Sequence, residues 1–166
     1  MIGSFRLTQI GEFQPTRIGV FRPTQFGEFH PTRTTSLCVE LETESGPLVV
    51  YGTIFGIYGN RRPSFQKDIR EQMEDVRRLT GSGHALCLCG DFNCSFSDNY
   101  YFTNWARETL KESFTACDLE LMTATQPECI DHIALSRNFP RERMLEVREW
   151  NLEKRLSDHK GIYIDF

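Results

Sequence analysis

The sequence predicts an α/β sandwich built on a mixed sheet, and three observations carry that prediction. Two β-rich runs are joined by a hairpin-type connection, helical runs alternate with short apolar strands, and polar clusters fall where those strands end. Leu37 to Thr43 and Leu48 to Phe55 are the two β-rich runs, and Glu44-Ser45-Gly46-Pro47 between them has the composition of a tight connection, so an antiparallel pair is expected. From Ser64 the apolar residues Phe65, Ile69, Met73, Val76 and Leu79 recur at three or four with charged residues between them. This is a helix face, and Gly81 is placed to cap its end. Ala85 to Cys89 reads as a short buried strand ending at Gly90-Asp91. Ala106, Leu110, Phe114 and Cys117 mark a second helix from about Asn104. Further strands are expected near Leu121 to Ala124, Ile130 to Leu135, Leu145 to Trp150 and Ile162 to Ile164.

The first 36 residues belong to a different kind of sequence. Ile2 to Gln9, Ile10 to Arg17, Ile18 to Gln25 and Phe26 to Arg33 are four copies of one octapeptide: Ile or Phe, Gly, variable, Phe, variable, Leu or Pro, Thr, Gln or Arg. Apolar residues at the first and fourth positions fit neither strand alternation nor a helix face, and the recurring Gly and Pro interrupt both. Residues 1–36 are therefore read as a low-complexity segment, extended or disordered, and 37–166 as the α/β region. A stacked array or an aromatic-rich interaction segment on an α/β scaffold is the competing assignment. Recognised solenoid units are longer, about 20 to 50 residues.

At 166 residues the chain has room for one core and not for two. Its formal charge of -4 excludes a protein that holds nucleic acid by bulk electrostatic attraction, so any polyanion it handles requires a local cation. No apolar run reaches the roughly 20 residues that span a bilayer, and no secretory signal opens the chain, so a cytoplasmic protein without membrane contact is expected. The six cysteines form no metal-knuckle spacing and read as reduced core thiols.

Three polar clusters bear on chemistry: Gly90-Asp91-Phe92-Asn93, Ile130-Asp131-His132-Ile133 and Ser157-Asp158-His159. Each alone is explained by turn formation. Together they supply what phosphate-ester hydrolysis uses: carboxylates for a hard divalent ion, an amide for a phosphate oxygen, and an imidazole braced by a carboxylate. By strand alternation His132 faces away from Asp131 and is structural.

In the order and approximate spacing of these motifs, with Val49-Val50-Tyr51-Gly52-Thr53 ahead of them, the stretch from Leu37 to Phe166 resembles the endonuclease/exonuclease/phosphatase superfamily, the deoxyribonuclease I-like hydrolases. The resemblance implies half of a four-layer α/β sandwich: one mixed, largely antiparallel sheet flanked by helices, preceded by the irregular repeats. It implies a divalent-metal-dependent phosphoesterase acting on nucleic acid or another phosphodiester, with Mg2+, or Mn2+ in its place, as cofactor. Asp91 would orient or deprotonate the attacking water and Asn93 would bond the scissile phosphate. Asp158 would belong to the metal shell. His159 would contact a phosphate oxygen as imidazolium, held by Asp131, which would raise its pKa. The stretch from Cys94 to Tyr101, with Phe96, Tyr100 and Tyr101, offers either aromatic stacking to a nucleotide or packing beneath the second helix. Arg61 and Arg62 are candidate phosphate contacts, or simply solvated.

The departures are equally specific. The superfamily's first half provides an Asn and a metal-binding Glu; here no Asn precedes Asn60, and Glu12 and Glu28 lie in the repeats. Ile54 stands where relatives place a Tyr or His. The alternative expectation is thus a truncated, catalytically incompetent remnant lacking the N-terminal metal ligands. Its sheet would have one uncovered face, with self-association as the consequence.

Overall fold

The structure is a computed structural model and describes residues 35–43, 45–139 and 146–165. The octapeptide repeats, with Glu12 and Glu28, lie outside the described residues. Beyond them the expected elements are present in order. Strands β1 (Ser36–Thr43) and β2 (Gly46–Ile54) form the antiparallel pair, with Val39 opposite Val50. Helix α1 (Pro63–Gly81) follows, then β3 (Leu86–Asp91), helix α2 (Asn104–Ala116), β4 (Leu119–Leu121) and β5 (Asp131–Ser136). Strands β6 (Glu146–Trp150) and β7 (Gly161–Asp165) complete the chain. The main sheet runs β1-β2-β3-β5-β4, and β6 and β7 form a separate antiparallel ribbon. Among the described residues only β2 and β3 are parallel, as they must be when a helix provides the crossover between them. The result is the expected half-sandwich, one mixed, mostly antiparallel sheet with helices packed against it.

The local signals explain most of these boundaries. Pro63 opens α1, where its missing N–H costs nothing. Thr103 caps α2, its side chain accepting from Ala106 N at 3.2 Å. Gly81 is the last residue of α1, and Ser82 is the cap, with Gly83 turning the chain at φ +85°. The strand expected at 121–124 ends at Leu121 instead. Thr123 beyond it leaves the ladder to bond His132 and the backbone N–H of Ile133.

Alternation divides the sheet into two unlike faces. Val49, Tyr51, Leu86, Leu88 and Ala134 point to one side, where Phe65, Ile69, Met73, Val76 and Leu79 of α1 and Ala106, Leu110 and Phe114 of α2 cover them. Each fully buried side chain of this size stabilises the fold by about 1.5–3 kcal/mol. A polar seam runs through this layer: Tyr51 donates its hydroxyl to Asp75 Oδ2 at 3.0 Å, and Gln72 bonds Thr53. On the opposite side Leu48, Leu135 and Phe139 form a small buried cluster with Val50 and Cys87 against it. Among the described residues no helix covers the rest of that face, and Leu37 is 65% exposed and Ile54 38%.

Candidate functional site

The site gathers at the edge of the open face, where β3 ends and β5 begins. Gly90 takes φ +135° against β2, and a Cβ there would overlap the Thr53 carbonyl oxygen, so only glycine lets β3 pass this close. The next residue, Asp91, is paired with Asp131 on antiparallel β5 and with Ile54 on parallel β2. Two carboxylates therefore stand side by side with an apolar neighbour.

Asn93, in the left-handed region at φ 48°, closes the turn after Asp91. Its backbone N–H donates to Asp91 Oδ1 at 2.8 Å, and its side-chain Nδ2 donates to Asp91 Oδ2 at 3.0 Å and to the Phe55 carbonyl at 2.9 Å. Asn60 in turn donates to the Asn93 carbonyl at 3.2 Å. Asn93 is thus the strut that fixes Asp91. A phosphate oxygen bonded by its amide has to displace one of those two acceptors.

The third motif arrives from the β6–β7 connection. Asn151, at φ 56°, organises this loop from within: its Nδ2 donates to the carbonyls of Ser157 and His159 at 3.0 and 2.7 Å, and its Oδ1 accepts from Leu156 N at 3.0 Å. So held, His159 donates from Nδ1 to Asp131 Oδ2 at 2.7 Å. Its Nε2 lies 4.0 Å from Asp158 Oδ1. Asp131, Asp158 and His159 line one small cleft together with Tyr100 and Lys154. The geometry assembles the acid at 91, the acid at 131 and the imidazole at 159 in one place.

Electrostatics distinguish these groups. Burial lowers the tendency of His159 to be charged, but Asp131, by its charge and its hydrogen bond, and Asp91 outweigh it, so the pKa is raised. Burial also pushes the Asp91 carboxyl up to about 6, with the Asn93 N–H opposing and the Asp131 charge reinforcing. Burial raises Asp131 as well, against the pull of His159. A carboxyl that titrates near 6 beside a readily charged imidazole is suited to moving a proton near neutral pH.

His132 is the core histidine that alternation predicts. Its Nε2 faces the carbonyls of Cys94 and Cys129 at 3.0 and 3.2 Å, which can only accept, so Nε2 carries the proton and Nδ1 accepts from the Thr123 hydroxyl at 2.8 Å. Burial holds its pKa down at about 4. Phe92 and Phe96 pack on the ring.

The aromatic loop divides between its two expected roles. Phe96 is buried against Phe114, and the Tyr101 hydroxyl accepts from Asn60 N, whereas Tyr100 stands 49% exposed at the rim of the cleft. Arg61 and Arg62 are exposed, and Tyr58 is 79% exposed. Sequence reasoning passed over Lys154 and Asn151. Positive φ at both, in a segment with no Gly, was the feature that marked this loop; Asn is a residue type that adopts it readily, whereas Lys154 carries no such signal in the sequence.

A Mg2+ or Mn2+ site does not follow from the same residues. Asp158 is 95% exposed in its side chain, Asp131 is committed to His159, and Asp91 is committed to Asn93. Among the described residues no group of three or more His, Cys, Asp or Glu side chains is placed to hold a metal ion. The donor set present therefore does not fit a divalent cation unaided.

Solved structures share this fold. The 3'-5' exonuclease NExo of Neisseria meningitidis superposes with a TM-score of 0.57 at 19% identity, covering 88% of this chain and 69% of that enzyme. The Neisseria 3' phosphatase NExo, in a variant bound to a product DNA hairpin, gives 0.59 at 19% identity over 82% of this chain and 66% of that one. An endonuclease/exonuclease/phosphatase from Beutenbergia cavernae gives 0.50 at 18% identity over 76% of this chain and 37% of its own. The chain thus has the fold found in nucleases and phosphatases of this kind, and spans about two thirds of the length of the neisserial enzyme. No protein-family model matches the sequence, and no curated protein matches it.

Proposed function

We propose that this chain carries the phosphate-facing half of a metal-dependent nuclease centre of the endonuclease/exonuclease/phosphatase kind, and that these residues alone bind a phosphodiester without hydrolysing it. The supporting observation is the His159–Asp131 pair at 2.7 Å, beside Asp91, at a cleft where no three His, Cys, Asp or Glu side chains among the described residues are placed to hold a metal ion. In this reading His159 meets a phosphate oxygen as imidazolium, pre-oriented by Asp131. Asp91 is the group that would accept a proton from water, and Asn93 fixes its direction. Asp158 is exposed and placed to contribute one metal ligand if others are supplied. Nucleic acid is the favoured ligand class because the fold neighbours are a 3'-5' exonuclease and a 3' phosphatase bound to a DNA hairpin. Self-association through the open sheet face, around Leu37 and Ile54, belongs to the same reading.

The test combines two measurements on the full chain. Inorganic phosphate is titrated while the His159 ring resonances are followed, and phosphodiester hydrolysis is assayed with Mg2+ and with Mn2+ alongside calorimetric Mg2+ titration. The expected result is a saturable phosphate shift that Asp131→Asn weakens, with no turnover and no stoichiometric Mg2+ binding. Tight Mg2+ binding together with hydrolysis abolished by Asp91→Ala and by His159→Ala would establish a complete phosphoesterase instead. Absence of any phosphate response at His159 would remove the phosphate site itself.

A further inference from the structure

We propose that Tyr100 and Lys154 form a nucleotide-binding rim beside the His159–Asp131 pair, and that its ligand is unpaired, single-stranded nucleic acid, DNA or RNA. The inference rests on the phosphate-facing reading above and adds to it the substrate form and the residues that select it.

Tyr100 is held outward by a stapled loop. Asp98 accepts from the backbone N–H of Tyr100 at 3.0 Å and from that of Glu128 at 2.6 Å. Ser97 donates to the Gln126 carbonyl at 2.7 Å, and Arg107 donates to the Ser95 carbonyl at 2.9 Å and to the Asp98 carbonyl. On the far side of Tyr100, Tyr101 bonds Ser95 through both its N–H and its carbonyl. A half-exposed phenol ring on so constrained a backbone has already lost the entropy that ordering it on a ligand would cost.

Lys154 reaches the same ring from the opposite loop, 54 residues away. Its backbone, at φ 51°, bonds the Asn151 carbonyl through the N–H at 2.9 Å, and its side chain lies over Tyr100. The ammonium lies 5.4 Å from the ring centroid and donates to the hydroxyl at 3.3 Å. Among the described residues Lys154 makes no ion pair. Its neighbour in the cleft, Lys160, is by contrast neutralised by Glu149 at 2.9 Å. Lys154 therefore joins the His159 imidazolium as a local cation of the kind that a chain of net charge -4 requires in order to hold a polyanion. A phosphate seated at His159 leaves the adjoining base or sugar at the Tyr100 ring and the next backbone phosphate at Lys154. A paired base cannot present its face in this way, which is the source of the preference for single strands.

The experiment is fluorescence anisotropy with a labelled oligothymidylate and oligouridylate of about 10 nucleotides, and a duplex of equal length, on the full chain at low salt. The expected result is tighter binding of both single strands than of duplex. Tyr100→Ala should weaken single-strand binding by about tenfold, Tyr100→Phe should retain it, and Lys154→Ala should flatten the salt dependence by roughly 0.7 in log–log slope. Equal affinity of wild type, Tyr100→Ala and Lys154→Ala would overturn the proposal, as would equal or tighter duplex binding or no binding by wild type. If inorganic phosphate still shifts the His159 resonances in that event, the phosphate site stands and only the rim falls.

Discussion

His159 in the β6–β7 connection and Asp131 at the start of β5, 28 residues apart in sequence, meet at 2.7 Å because the Asn151 side chain clamps that connection by donating to its Ser157 and His159 carbonyls. The bond couples the charge of an imidazole to the rim of the main sheet. Asp131→Asn should bring the raised His159 pKa back toward the ordinary histidine value, and Asn151→Ala should do so in part by releasing the loop. A proton-detected NMR titration of the ring reads both. The sign for stability follows from the raised folded value: the pair contributes fully below about pH 6.5 and its contribution is lost as pH rises through the folded pKa. An unchanged His159 titration in Asp131→Asn would contradict the pairing.

Asp91 is held in an environment that penalises its charge. Its folded pKa of about 6 exceeds the ordinary value, so between about pH 4 and 6 the folded state binds more protons than the unfolded, and stability falls as pH rises through that window. Asp91→Asn should abolish this fall in stability between about pH 4 and 6, while setting an amide NH2 against the Asn93 Nδ2 donor that Asp91 Oδ2 accepts from. Urea unfolding at several pH values measures it.

Acid acts on His132 in the opposite direction. A folded pKa of about 4 means that the unfolded state takes up the proton first, so stability is lost as pH falls from about 6.5 through 4. In the wild type the Asp91 and His132 slopes oppose each other. Asp91→Asn should therefore expose a steep acid loss, and His132→Ala should destabilise by roughly 2–4 kcal/mol at pH 7, leaving the Thr123 hydroxyl and two carbonyls without their partner. Chemical denaturation of both variants against pH would show whether the slopes separate.

Gly90→Ala tests the backbone approach that delivers Asp91. The added Cβ meets the Thr53 carbonyl, which is rigid ladder backbone, and the φ of +135° is unfavourable for any other residue. A loss of at least about 3 kcal/mol, or failure to fold, is expected by thermal or urea unfolding, while Gly46→Ala in the hairpin, where nothing lies near the added carbon, should cost less.

The open face supplies the last expectation. Leu37→Glu and Ile54→Lys should shift the chain toward monomer in sedimentation velocity without loss of helix content, since both side chains are exposed and neither belongs to the helix-covered core. Unchanged sedimentation would remove this face as the self-association surface.

The sequence by itself determined the order and type of the elements, from the helix face of Phe65 to Leu79 to the hairpin at Gly46, because periodicity and turn chemistry act over a few residues. It also determined that His132 points into the core, since alternation is a local rule. It left open which of Phe96, Tyr100 and Tyr101 faces solvent, and it placed the end of β4 three residues too far along. Both outcomes were decided by partners distant in the chain: Phe114 and Asn60 for the aromatic loop, His132 for Thr123. The alignment of Asp91 with Asp131, the reach of His159 across 28 residues, and the meeting of Lys154 with Tyr100 across 54 depend on strand register and on left-handed loop residues at Asn93, Asn151 and Lys154. Those are properties of packing between segments, and no local pattern encodes them.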